Sequence, residues 1–121
     1  MPIAQLLLTA LLSLLSLTAA SAWALAQGSA DLKRGHALVA THCSRCHAIE
    51  RTGTSPHRAA PPFRTLGQKY PVEWLGEALG EGLSTGHPDM PEFVFEPQEI
   101  NAILTYLQSI QVPKAGPLQR R

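Results

Sequence analysis

The sequence predicts an all-α domain on three observations. Apolar residues recur at helical spacing in three patches, Pro- and Gly-rich stretches separate those patches, and no run shows the period-2 alternation of a half-buried strand. The chain has 121 residues, two cysteines and a net charge of +1. No internal repeat is visible, and only the N-terminal region is compositionally biased.

That N-terminal region comes first. Ile3 to Leu17 is apolar apart from Gln5, Thr9, Ser13 and Ser16, and no charged side chain precedes Asp31. Small residues follow and lead to Ala24-Leu25-Ala26, which has the A-x-A form of a processing site; Ala20-Ser21-Ala22 would also serve. Residues 1–26 therefore read as a secretory signal and residues 27–121 as the exported domain. The competing reading is an uncleaved anchor, because the run is nearly long enough to span a bilayer and lacks a positive flank beyond the terminal amine.

The first helix of the domain is expected from about Ala30 to Thr41. Ser29 would be its N-cap, Asp31 would face the positive end of the dipole, and Leu32, Gly35 and Val39 would share a face. The second starts at Pro71, whose fixed φ suits a first helical turn, and carries Trp74, Leu75, Ala78 and Leu79 to a stop at Gly82. The third runs from Pro97 to Gln111. Its Ile100, Ile103, Leu104, Leu107 and Ile110 make the clearest amphipathic stripe in the chain, and Pro113 lies beyond its end.

Two long connections remain, Ala48 to Tyr70 and Leu83 to Glu96. Structureless loops of such length are uncommon in a small domain unless something organises them. Three helices make a thin core, and chains this short often add a disulfide, a metal or a cofactor. The sequence calls for a large apolar ligand before any motif is considered.

Cys43-Ser44-Arg45-Cys46-His47 supplies the motif, C-x-x-C-H, the pattern of covalent c-type haem attachment. One helical turn ending in a tight loop presents two thiols to one porphyrin edge and carries the following histidine under the iron. A thioredoxin-type pair would follow a strand, whereas a helical pattern precedes this one. A zinc site needs four ligands, and His36, His42, His57 and His87 form no second pair at fixed spacing. A plain disulfide leaves the adjacent histidine unexplained. For the sixth position of the iron, the domain offers one methionine, Met90, in His87-Pro88-Asp89-Met90-Pro91-Glu92-Phe93. Flanking prolines stiffen that backbone, and Met/His ligation raises the potential of a haem used for electron transfer. His87 is the rival ligand.

With these residues in place the chain resembles a small bacterial class I (monohaem) cytochrome c. Gly35, CSRCH at 43–47, APPFRTLG at 60–67, TGHPDMPEF at 85–93 and EINAILTYLQSI at 99–110 carry the resemblance, which covers essentially all of residues 27–121. It implies a cytochrome c-like fold, with three main helices and long loops around one haem c held through Cys43 and Cys46, ligated by His47 and Met90. It implies a glycine–aromatic contact where the first and last helices cross, at Gly35 and Tyr106. It also implies a proline carbonyl on the free nitrogen of the proximal histidine. Pro61 and Pro62 both qualify, and Pro62 fits the family's proline-before-hydrophobe pattern. Phe63, Leu66, Leu75, Leu79, Phe93 and Leu104 are expected to line the pocket, with Tyr70 or Trp74 near a propionate.

The expected function is one-electron transfer in the periplasm by a monomer. Its partners would be a protein donor and a protein acceptor, with no nucleic acid and, once the signal is cleaved, no membrane insertion. An iron with both axial positions filled has no place for substrate, which argues against an enzyme. Charge is polarised along the chain. Residues 27–70 hold seven Lys and Arg against two Asp and Glu, and residues 71–112 hold seven acidic residues and no Lys or Arg. Arg45, Arg51, Arg58 and Arg64 could orient an acidic partner. Three alternatives remain at this stage: a haem-bearing subunit of a dehydrogenase or oxidase complex, a haem sensor or enzyme with Met90 displaced, and a haem-free CxxC oxidoreductase.

Overall fold

The computed structural model describes residues 2–82 and 89–114. Among them there is no strand, and the fold is all-α as expected. The order is α1 (Pro2–His42), a 3-10 helix (Phe63–Gln68), a second 3-10 turn (Val72–Trp74), α2 (Leu75–Glu81) and α3 (Pro97–Ser109). The chain divides into two units, Met1–Ala30 and Asp31–Arg121.

The first unit is helical from Pro2 onward, with Trp23 and Leu25 exposed. Helix therefore continues through the point where the sequence placed a cap. Ser29 does not cap: its hydroxyl donates to the Ala26 carbonyl one turn back, at 2.9 Å. Leu and Ala are strong helix formers, and between Ile3 and Ala30 only Gly28 opposes them, at about 1 kcal/mol. Among the described residues, no helix is long and apolar enough to cross a membrane.

The second unit holds the core, in which Val39 and Ala102 are fully buried beside Leu66, Val72, Ile103, Leu107 and Ile110. α3 begins with Pro97 as its first residue and a reciprocal cap: the Glu96 side chain accepts a backbone N–H from the first turn, and the Glu96 N–H donates to Glu99. Its expected stripe faces the core, with Ile100 and Leu104 half-buried at the edge. α2 is shorter than the sequence suggests. Pro71 does start the segment, but the first turn is 3-10, and the α-helix ends at Gly82, whose φ of +91° suits a residue without a side chain.

Gly35 is where α1 meets α3. A Cβ there would lie 2.0 Å from the Ala102 carbonyl oxygen and 2.8 Å from the Tyr106 Cβ, so only glycine permits the approach. The Tyr106 hydroxyl then donates to the Ile49 carbonyl at 3.0 Å, and its ring meets the edge of His36 at 5.1 Å. His36 in turn donates to Glu50 at 2.7 Å, which holds that carboxyl below its usual range. The tyrosine ties the last helix to the chain just after the C-x-x-C-H turn.

The long connection 48–70 contains an element that the sequence did not reveal, the 3-10 helix Phe63–Gln68. Gln111, just beyond α3, holds it. Its side-chain amide donates to the Phe63 carbonyl at 2.9 Å and to Leu107 at 2.6 Å, while its oxygen accepts the Gly67 N–H at 2.7 Å. The Val112 N–H adds a bond to the Arg64 carbonyl. Hydrogen bonds from a remote segment, rather than local periodicity, organise this loop.

Candidate functional site

The C-x-x-C-H turn is a continuation of α1. The Cys43 N–H donates to Val39, and the N–H groups of Cys46 and His47 both donate to the Cys43 carbonyl, at 3.1 and 2.9 Å. Ser44 adds a side-chain bond to Ala40 at 2.6 Å. Cys43, Cys46 and His47 are thus brought together on one tightened turn, each half-buried, and both cysteines are free thiols. Burial, with a smaller contribution from Cys46, pushes the Cys43 thiol up to about 11.

The His47 ring is oriented from both sides. Its Nδ1 donates to the Pro61 carbonyl at 2.8 Å, and the Phe63 ring lies 4.5 Å away, tilted by 30°. The Pro61 bond places the proton on Nδ1 and leaves Nε2 with its lone pair free to bind a metal. The expectation that Pro62 supplies this carbonyl is therefore corrected. Pro62 turns its own carbonyl into the 3-10 helix, where it accepts from the Thr65 hydroxyl at 2.8 Å and from the Thr65 N–H. The Phe63 N–H, bonded to the Ala48 carbonyl, fixes that register.

Met90 is half-buried in a bend that follows Asp89. Downstream, Phe93 and Phe95 stack at 5.7 Å, His42 meets both ring edges, and the Phe95 N–H bonds to the Leu79 carbonyl. Upstream, Asp89 reaches His57 Nε2 at 3.4 Å. The backbone N–H of His57 donates to the Cys46 carbonyl, so the Met90 segment is linked to the attachment turn through one residue. Sequence reasoning had set His57 aside because it forms no metal-type pair, and the contact joins parts of the chain that no local pattern relates. His87 lies outside the described residues, as does the tail beyond Lys114. Of the expected pocket residues, Phe63 and Leu66 are buried, while Leu75, Leu79, Phe93 and Leu104 pack half-buried against the core. Tyr70 is half-buried and Trp74 is 71 % exposed, so Tyr70 is the one set against the core.

Among the described residues, one buried side-chain nitrogen has no partner, Nη1 of Arg64. A guanidinium nitrogen shut away from water without an acceptor costs about 1–3 kcal/mol, and an anionic group beside Arg64, the residue after the Phe63 that lies against His47, would supply what is missing. Two paired thiols, a metal-ready imidazole and an unsatisfied cationic donor fit a haem with its two vinyl groups, iron and propionates. No group of three or more His, Cys, Asp or Glu side chains placed to hold a metal ion occurs among the described residues.

The chain matches the family model for cytochrome c over residues 32–111, and it belongs to that family. It is accordingly a haem-based electron carrier of the class I type, and the family's covalent haem c accounts for the spacing of Cys43 and Cys46. No curated protein and no solved structure matches the chain.

Proposed function

We propose that this protein is a one-electron carrier of the periplasm, exported by residues 1–26, with a single haem c bonded to Cys43 and Cys46 and ligated by His47 and Met90. The observation that carries the reading is the Pro61–His47 hydrogen bond, which orients the imidazole and leaves Nε2 as the coordinating atom. When bound, the haem supplies an iron that cycles between ferric and ferrous states.

The chain's own residues do the rest. Cys43 and Cys46 fix the group against loss in an extracytoplasmic compartment. His47 and Met90 would both ligate the iron, so substrate would find no open position and little rearrangement would accompany electron transfer. Phe63 and Leu66, with the half-buried Leu79 and Phe93, exclude water and favour the less charged ferrous form, raising the potential. Exposed Arg45, Arg51 and Arg58, near the attachment turn in sequence, suit a transient acidic partner.

The test is purification from the native periplasm, intact-mass analysis and a redox-titrated spectrum. One added haem on a chain beginning near Gln27, with the weak long-wavelength ferric band of Met-sulfur ligation, is expected. Met90→Ala should abolish that band and lower the potential. Ready CO binding by the unmodified ferrous protein would overturn the axial assignment, and a stable stoichiometric partner would overturn free carriage.

A further inference from the structure

We propose that His57 and Asp89 are positioning residues that latch the Met90 segment to the haem-attachment turn. The inference deepens the assignment of Met90 as an axial ligand and rests on it.

Two hydrogen bonds and one contact between polar side chains define the latch. The His57 N–H donates to the Cys46 carbonyl at 3.1 Å, which fixes the residue to the turn that carries both thiols. The Ala59 N–H donates to His57 Nδ1 at 3.2 Å. A ring nitrogen that accepts a hydrogen bond carries no proton, so the neutral ring bears its hydrogen on Nε2. That nitrogen lies 3.4 Å from Asp89 Oδ2, next in sequence to Met90. Backbone on one side and backbone on the other thus impose both the position and the tautomer of His57, and leave Nε2 as the nitrogen beside the carboxylate.

Among the described residues, no hydrogen bond and no other ion-pair contact reaches residues 89–92. The aromatic stack of Phe93, Phe95 and His42 holds only the downstream end of the segment. Loss of the His57–Asp89 contact would remove the ion-pair contact that, among the described residues, restrains the chain next to Met90. The Met–iron bond would then open more often, exposing the sixth position to outside ligands.

Both side chains are partly exposed, so the effect is modest. A contact of this kind shifts an opening equilibrium by about two- to fivefold. An outside ligand that binds only the open form gains apparent affinity by the same factor. The experiment uses ferric holoprotein titrated with imidazole, following loss of the Met-sulfur band in the unmodified chain, His57→Ala, Asp89→Ala and the double variant. Each single variant should bind imidazole about two- to fivefold more tightly, and the double variant no more tightly than the stronger single. His57→Gln, which keeps an N–H donor, should recover part of the loss.

Single effects that multiply in the double variant, or no effect at all, would overturn the latch. The spectrum of the unmodified ferric protein is read first. If it lacks the Met-sulfur band, the axial assignment fails and the latch with it. If it has the band and the cycle shows no coupling, the latch alone fails.

Discussion

Replacing Gly35 by alanine probes how the domain closes. On an isolated helix the change is favourable by about 1 kcal/mol, because alanine is the better helix former. Here the new Cβ would stand 2.0 Å from the Ala102 oxygen, 2.6 Å from its carbonyl carbon and 2.8 Å from the Tyr106 Cβ. Two of these are backbone atoms of α3, which cannot turn aside, so the helices must separate by about 1 Å. Overpacking of this kind costs roughly 3 kcal/mol, and displacing Tyr106 from the Ile49 carbonyl costs about 1 kcal/mol more. After the helix-propensity gain, the net loss is about 3 kcal/mol. Guanidinium unfolding of the holoprotein, followed by circular dichroism and by haem absorbance, should show a lower midpoint at an unchanged slope. A variant as stable as the parent, or more stable, would refute the close crossing at Gly35.

Gln111→Ala removes three hydrogen bonds to the 3-10 helix and to α3, and should cost about 2 kcal/mol in the same unfolding assay. Burial and the nearby Glu50 carboxylate raise the Tyr106 phenol from 10.0 to about 12. The folded state therefore keeps a proton that the unfolded state releases, so this stabilisation is complete below pH 10 and is lost as pH rises toward 12. Stability measured across that window should fall in the parent. In Tyr106→Phe the fall should be shallower, with the raised Tyr70 phenol still contributing, and stability at neutral pH should be about 1 kcal/mol less. Glu50 shifts the opposite way: its stabilisation is present above the ordinary carboxylate range and disappears on acidification, so Glu50→Gln should blunt the acid-side loss of stability.

Much of this was legible in the sequence because it is local or chemically distinctive. The stripe Ile100, Ile103, Leu104, Leu107 has a period that only a helix satisfies, and C-x-x-C-H states its own geometry. Gly35 and Tyr106 stood out through the family resemblance and meet at the predicted helix crossing. The start of the first helix was misplaced because Ser29 follows no breaker strong enough to end the Ala- and Leu-rich run, and its hydroxyl bonds within the helix. The 3-10 helix at Phe63–Gln68 was invisible because its support comes from Gln111, 44 positions away from Gly67. The choice between Pro61 and Pro62 depended on the register set by the bond from the Phe63 N–H to Ala48. Adjacent prolines look alike in sequence, and only that register decides which carbonyl faces the imidazole.

Tyr106 reaches the Ile49 carbonyl across 57 positions of chain, and that span governs the order of events in synthesis. At roughly 5–20 residues per second, several seconds separate the appearance of one partner from that of the other. During that interval Gly35 and Ile49 are present while the helix they meet is not. The contacts that close this unit therefore await residues 102–106, however early the C-x-x-C-H turn forms.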